Sequence, residues 1–126
     1  MSQIYLLQLA SQQAKWLTAR QALIADNIAN ANTPGYRAKD IQPFSEILDQ
    51  TQIGMAATNP AHIVPASEEL AAAATPSESE SWETTVSGNS VSLEQEMMKE
   101  GDINRSFTLN TNIKRVFHQM LLSALK

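Results

Sequence analysis

The hydrophobic positions of this chain follow helical spacing at both ends and lose it in the middle. At the N-terminal end, stripe positions recur in alternating steps of four and three residues, and no proline or glycine interrupts them. The stripe consists of Gln3, Leu7, Ala10, Ala14, Leu17, Gln21, Ile24, Ile28 and Ala31. This spacing predicts one long helix. The helix needs a partner, because helical stability in proteins comes mostly from packing.

A second stripe at the C-terminal end predicts that partner. Ser92 and Gln95 have the spacing of a capping box, and Glu94 and Glu96 lie where the helix dipole favours acids. The stripe residues are Leu93, Met97, Leu109, Ile113, Val116 and Met120. Gly101 falls inside this segment, which is compatible with one helix or with two.

The two stripes predict a mainly α fold in which long N-terminal and C-terminal helices pair as a coiled-coil-like hairpin. We expect the helix-pairing seam to contain Leu17, Ile24, Ile28, Leu109, Ile113, Val116 and Met120. The organisation expected within one structural domain is a helix and turn over residues 1–36, an extended middle over 37–88, and a C-terminal helix over 89–126.

The middle segment predicts a long irregular stretch with room for a short β-hairpin. Its prolines break any long helix, and they are Pro43, Pro60, Pro65 and Pro76. Residues 82–86 are typical of one short strand ending in a turn, and residues 63–64 of half of another.

The first helical stripe ends in a run of amides and a turn. Pro34 and Gly35 suit the central positions of a type II turn, because proline pre-sets φ and glycine accepts a positive φ. The run predicts either a polar helix stop or an interface with other proteins. The candidate assembly interface is Asn27, Ile28, Asn30, Asn32, Thr33, Pro34, Gly35 and Tyr36.

Composition excludes several classes of function. The 126 residues carry a formal charge of −4 and a pI near 5.0, which argues against a nucleic-acid partner. The absence of cysteine excludes disulfides, thiol catalysis and Cys-ligated zinc. No apolar stretch approaches the length that a bilayer needs, and no basic leader precedes an apolar core, so we expect neither membrane insertion nor a cleaved signal peptide.

The candidate chemistry is sparse, and we expect no catalytic, cofactor-binding or metal-binding residues and no cofactor. His62 is best explained by a surface or turn role, and His118 by a helix-end cation or a packing residue. Glu94, Glu96 and Glu100 form a carboxylate row, which the helix dipole and solvation explain better than a glycosidase pair. A small hydrolase using His62 with one of these acids is the enzyme alternative.

Three sequence blocks resemble the bacterial flagellar rod and hook proteins, and within them the proximal rod proteins of the FlgB type. Residues 20–40, with the core Asn-Ile-Ala-Asn-Ala-Asn-Thr-Pro-Gly-Tyr, are similar to the N-terminal signature of that family. Residues 58–63 resemble its central Thr-x-x-x-His-Ile element. Residues 88–97 resemble the opening of its C-terminal helix.

The resemblance implies a structural subunit of the flagellar basal-body proximal rod, the torque-transmitting tube that encloses the export channel, and not an enzyme. The implied partners are further copies, rod subunits of the FlgC and other types, the proteins joining the rod base to the MS ring, and the flagellar type III export apparatus. The implied location is the periplasmic rod, reached without a cleaved signal peptide. The alternatives are a neighbouring member of the FlgC type and a helical-hairpin adaptor or export chaperone.

Overall fold

The computed structural model describes residues 2–51 and 76–125, which form two long helices, a short helix and a two-stranded sheet. The elements in chain order are α1 (Ser2–Ala29), β1 (Lys39–Asp40), α2 (Phe44–Thr51), β2 (Ser77–Glu78) and α3 (Leu93–Ala124). The predicted mainly α fold is confirmed, since the two long helices pack against each other. His62, the strand expected at residues 63–64 and the motif at residues 58–63 lie outside the described residues.

Helix α3 is continuous through Gly101, so the C-terminal segment is one helix and not two. It begins after Ser92, the residue predicted as its cap, but the Ser92 side chain makes no capping hydrogen bond. Gln95 does not complete the capping box either. Its side chain instead donates to the backbone carbonyl of Glu80 and accepts from the backbone NH of Trp82.

The two long helices run antiparallel around a small apolar core. Leu17 and Ile24 of α1 pack with Ile103 of α3, and all three are 1% exposed. Trp16 and Phe107 cover this cluster as partly buried neighbours. Full burial of each aliphatic side chain contributes about 1.5–3 kcal/mol, so these three residues are the principal apolar contribution of the pair.

Of the predicted seam residues, Leu17 and Ile24 are buried, and the other five are wrong within the single chain. Four stripe residues of α3 and one of α1 are between 41% and 60% exposed: Ile28, Leu109, Ile113, Val116 and Met120. The buried positions of α3 are Glu96, Ile103 and Asn110, which recur every seven residues on a neighbouring face.

Polar residues can occupy this seam because their hydrogen bonds are made inside it. The Asn110 side-chain amide donates to the carbonyl of Ala10 at 3.0 Å and to Oε1 of Gln13 at 2.8 Å. The Gln21 amide donates to Glu100 at 2.9 Å. Burial of a polar group is tolerated when it is hydrogen-bonded, so the helix pair leaves the more apolar stripe of α3 uncovered.

The middle is more ordered than predicted where the structure describes it. Strands β1 and β2 pair antiparallel, with Lys39 opposite Glu78 and Asp40 opposite Ser77. Residues 82–86, which were expected to form a strand, do not form one.

Helix α2 lies within the segment predicted to be irregular. Pro43 immediately precedes it, a location that proline tolerates because the first helical NH groups have no intrahelical partner. Ile47 is 1% exposed and anchors this helix. Trp16 donates its indole NH to the carbonyl of Gln42 at 2.9 Å and contacts the Phe44 ring, which fixes the entry of α2 against α1.

Candidate functional site

The turn predicted after α1 is present and has the predicted geometry. The backbone NH of Tyr36 donates to the carbonyl of Thr33 at 3.2 Å, which closes the turn around Pro34 and Gly35. Gly35 has a φ of 72°, as the third position of a type II turn requires. A Cβ added at Gly35 would meet nothing within 4 Å, so glycine is required here by backbone conformation and not by crowding.

A second glycine turn from the C-terminal half packs against the first. Gly88 has a φ of 82°, and its NH donates to the carbonyl of Thr85 at 2.9 Å. The NH of Gly35 donates to the carbonyl of Ser87 at 2.9 Å, so the turns are hydrogen-bonded to each other. A Cβ at Gly88 would lie 3.6 Å from the Gly35 Cα, and the two backbones are therefore in direct contact.

Asn89 joins this second turn to the end of α1. Its side-chain amide donates to the carbonyls of Asn30 and Thr33, both at 2.8 Å, and its Oδ1 accepts from the NH of Val91 at 2.8 Å. The side chain is buried, and it gives the carbonyls of Asn30 and Thr33 a second donor beside the backbone NH groups of Thr33 and Tyr36. No sequence pattern indicates this role, although Gly88 and Asn89 stand together at the start of residues 88–97, the third segment that resembles the flagellar family.

Asn27 is an internal residue of the same joint, by which we mean the contact between the two glycine turns and the ends of the long helices that meet them. Its amide donates to the carbonyl of Lys39 at 2.8 Å and to Glu96 at 3.2 Å. Its Oδ1 accepts from the NH of Lys39 at 3.0 Å and from the Tyr36 hydroxyl at 3.2 Å. With an exposure of 0%, Asn27 cannot face another protein, which corrects its place in the predicted assembly interface.

A network of four charges continues from Asn27 to β1. Arg20 donates two hydrogen bonds of 3.0 Å to the Asp40 carboxylate, and Lys99 lies 3.3 Å from both Asp40 and Glu96. Glu96 is buried, so the expectation that solvation explains its position is wrong. The two cations and two carboxylates compensate each other, which is how a protein accommodates buried charge.

The network determines the ionisation of Asp40. Burial opposes the charged form, but the hydrogen bonds from Arg20 and from the NH of Ile41, with the charges of Arg20 and Lys99, outweigh it and lower the pKa of Asp40.

The pKa of the Tyr36 phenol, which lies beside the network, shifts upward. Burial raises the pKa of Tyr36, and the negative charges of Asp26 and Glu96 raise it further. Tyr36 therefore remains a protonated hydrogen-bond donor to Asn27.

The other residues of the predicted assembly interface lie at or near the surface. Asn30 and Tyr36 are half-buried, and the exposed members are Ile28, Asn32, Thr33, Pro34 and Gly35. The Asn30 amide donates to the carbonyl of Asp26, and the Thr33 hydroxyl donates to Oδ1 of Asn30. The side chains of this run thus bond first to one another, and the turn presents a rigid edge.

Exposed apolar side chains form the other notable surface. On α3 and at its C-cap they are Leu93, Met97, Met98, Leu109, Ile113, Val116, Met120, Leu122 and Leu125. On α1 they include Tyr5, Leu6 and Leu7, whose part of the helix lies beside the later turns of α3. Exposed apolar surface of this extent on a small protein indicates contact with other macromolecules.

A metal site and a membrane-spanning helix have requirements with which the described residues can be compared. Within residues 2–51 and 76–125 no three His, Asp or Glu side chains are placed to hold a metal ion. No helix in this part of the chain is long and apolar enough to cross a bilayer. The carboxylate row does not converge, because Glu94 is exposed, Glu96 is buried against Asn27, and Glu100 accepts from Gln21.

The chain is similar to known proteins along its whole length. A family model described as flagella basal body rod protein matches residues 9–37, which cover most of α1 and the turn. The flagellar basal body rod protein FlgB of Agrobacterium fabrum (strain C58 / ATCC 33970) is 46% identical over 130 residues, spanning 100% of this chain and 96% of that protein. The protein of the same name in Escherichia coli (strain K12) is 52% identical over 40 residues, or 32% of this chain and 29% of its own.

Proposed function

Because the chain belongs to the FlgB type of flagellar basal body rod proteins, we propose that it builds the proximal rod through the uncovered apolar face of its helix pair. The chain is a structural subunit of the basal body rod and assembles with other flagellar components. In the proximal rod it transmits torque, and its neighbours complete the tube around the export channel.

The observation that carries this proposal is the difference in polarity between the two faces of α3. The face toward α1 contains buried polar residues, Glu96 and Asn110, that hydrogen-bond within the chain. The stripe that includes Ile113 and Val116 is apolar and exposed. A subunit that completes its burial in an assembly has this distribution, because apolar contact with neighbours supplies stabilisation that the monomer lacks.

The joint between the turns fits the same role. Asn27 and Asn89 bind backbone groups on both sides of the helix pair, which holds residues 30–36 in a fixed position relative to α3. Such a joint restricts motion between residues 30–36 and the helix pair, and we propose that this stiffness serves the transmission of torque. The exposed members Asn32, Thr33 and Pro34 then form a contact edge for neighbouring subunits.

Further copies of the chain and rod subunits of the FlgC and other types are the proposed neighbours. At the base, the proteins of the MS-ring junction are the proposed contact, and the flagellar type III export apparatus delivers the chain to the periplasmic rod. We propose neither an enzymatic activity nor a cofactor for the chain, because the relatives that it resembles are named as rod proteins.

Replacement of the FlgB relative in Agrobacterium fabrum by this chain tests the proposal. We expect restored swimming, and recovery of the chain in purified basal bodies with their rods intact. Ile113→Asp is the assembly-defective variant, because it places a charge on the proposed contact face. Asn112→Ala, an exposed neighbour on the same helix, is the matched control and should behave as the unchanged chain. A stably expressed chain that is absent from basal bodies would overturn the proposal.

A further inference from the structure

The acidic residues of this chain are confined to its middle. All 13 Asp and Glu residues lie between Asp26 and Asp102. The two terminal segments, residues 1–25 and 103–126, contain no acid. They carry six of the nine lysines and arginines, which are Lys15, Arg20, Arg105, Lys114, Arg115 and Lys126. The net charge of −4 therefore conceals two regions of opposite sign.

The fold converts this segregation along the sequence into two ends of opposite charge. Ala10 meets Asn110 and Leu17 meets Ile103, so the acid-free segments lie side by side. Residues 2–17 with 103–125 form what we call the basic end. Residues 26–41 with 76–102 form the acidic end, where the turns and the sheet are located, and the entry of α2 lies between the two ends against Trp16.

Both ends carry exposed apolar side chains next to their charges. At the basic end, Ile113, Val116 and Met120 flank Lys114 and the exposed Arg115. Hydrogen bonds of Gln95 to the backbone of Glu80 and Trp82 hold a loop against the first turns of α3 at the acidic end. Trp82 and Met98 are exposed there, at 64% and 61%, beside the exposed Glu80 and Glu83.

We propose that copies of this chain associate head to tail, with the acidic end of one copy docked on the basic end of the next. The inference rests on the proposed function, which requires contacts between subunits, and it names their polarity and their driving force. A contact between two different patches is heterologous, and it extends into a filament or helical tube when the rotation between copies does not close a ring.

Charge complementarity selects this arrangement over the symmetric one. Two basic ends facing each other would bring Lys114 and Arg115 of both copies together, and two acidic ends would do the same with Glu80 and Glu83. Like charges across an interface suppress the wrong pairing, while opposite charges accelerate encounter and determine orientation. The apolar side chains at both ends then supply the contact area.

An anionic membrane is the competing occupant of the basic end. A helix with exposed Ile113, Val116 and Met120 next to Lys114 and Arg115 also has the character of an interfacial membrane segment. A membrane explains only one end of the molecule, however. A second copy explains the acidic apolar end as well, and we therefore favour it.

Charge reversal at each end separates these possibilities. One variant carries Lys114→Glu and Arg115→Glu, which cancels the net charge of the basic end, where Lys15 and Arg105 remain. The second carries Glu80→Lys and Glu83→Lys, which lowers the net negative charge of the acidic end and replaces both acids beside Trp82 by lysines. Sedimentation velocity of the full chain, at about 20 mM and about 500 mM NaCl, measures self-association, and circular dichroism confirms that each variant retains its helices.

We expect the unchanged chain to self-associate at low salt and to do so at least about tenfold more weakly at high salt, because screening removes the attraction. Each variant alone should associate at least about tenfold more weakly than the unchanged chain at low salt. An equimolar mixture of the two variants should recover association, as should one chain carrying all four substitutions. The salt dependence of the unchanged chain tests the proposal even if a variant fails to fold.

Three results would overturn the inference: equal association of both variants and the unchanged chain, no recovery in the mixture, or a monomeric unchanged chain that sediments with phosphatidylglycerol-containing vesicles. The proposed function fails separately, when the unchanged chain does not enter basal bodies. A chain that enters the rod but shows no charge-dependent pairing overturns the head-to-tail inference alone.

Discussion

The side chain of Asn89 binds the backbone carbonyl of Asn30, 59 residues earlier in the sequence, at 2.8 Å. A second bond of 2.8 Å to the carbonyl of Thr33 ties the same side chain to the turn that follows α1. The segment after the N-terminal helix is therefore held in place by the C-terminal half of the chain.

Asn89→Ala should be among the most destabilising single substitutions in the described part of the chain. It removes three hydrogen bonds of about 0.5–1.5 kcal/mol each, including the one that the buried NH of Val91 donates, for a total loss of about 1.5–4.5 kcal/mol. Urea unfolding followed by circular dichroism measures it. Asn112→Ala, at an exposed asparagine, should change the unfolding free energy by less than about 0.5 kcal/mol. Equal effects of the two substitutions would contradict the role of Asn89.

Gly35→Val should destabilise the joint through its backbone alone. A β-branched residue resists the φ of 72°, and because the space around the glycine is open, the expected cost is the conformational one of about 1–2 kcal/mol. Gly101→Ala is the contrasting control. This glycine is helical and also meets nothing, so alanine should stabilise the chain by about 0.5–1 kcal/mol. Thermal unfolding of the two variants should shift in opposite directions, and a shift of the same sign would refute this reasoning.

The sequence was sufficient for features that local chemistry determines. Pro34 and Gly35 restrict their own backbone angles, so the turn could be predicted without knowledge of any contact. The two long helices could be predicted from periodicity and from uninterrupted helix formers. Their pairing followed from the need of each narrow stripe for a partner.

Leu17 and Ile24 were predicted correctly, but the α3 side of the seam could not be, because it depends on hydrogen bonds between distant residues. Periodicity selects apolar positions such as Ile113, whereas the structure buries Asn110 and Glu96. Each of these polar residues is buried only because a donor or acceptor of α1 stands opposite, namely the carbonyl of Ala10 and the amide of Asn27. No spacing rule within one helix contains that information.

Acid should weaken the charge network through Asp40. Its pKa is lower in the folded chain than the ordinary 3.8, so the unfolded chain binds the proton more readily. The stabilisation is complete above the ordinary pKa and is lost as the pH falls through the lower folded value. Asp40→Asn should cost about 1.5–3 kcal/mol at neutral pH, by removing hydrogen bonds to a charged partner.

Unfolding measured between about pH 3 and about pH 6 checks this, because the difference between the unchanged chain and Asp40→Asn should shrink toward the acid end. Asp102→Asn is the matched control. Asp102 pairs with Arg105 at 3.5 Å on the exposed surface, where an ion pair contributes little. A pH-independent difference for Asp40→Asn would show that the carboxylate charge is not what stabilises the network.

Two isoleucines of α3 should separate folding from assembly. Ile103 is 1% exposed against Leu17 and Ile24, whereas Ile113, ten residues later, is 44% exposed. Ile103→Ala creates a cavity and should destabilise the helix pair by about 2–4 kcal/mol. Ile113→Ala should change monomer stability by less than about 0.5 kcal/mol, because its side chain already contacts water.

Assembly into the rod should rank the two variants in the opposite order. When both are compared at the same concentration of folded chain, Ile113→Ala should lower the yield in basal bodies more than Ile103→Ala, since Ile113 lies on the proposed contact face and Ile103 does not. Urea unfolding and the yield of the chain in purified basal bodies measure the two effects. Loss of monomer stability in Ile113→Ala would mean that the exposed stripe belongs to the fold of the single chain rather than to its contacts with neighbours.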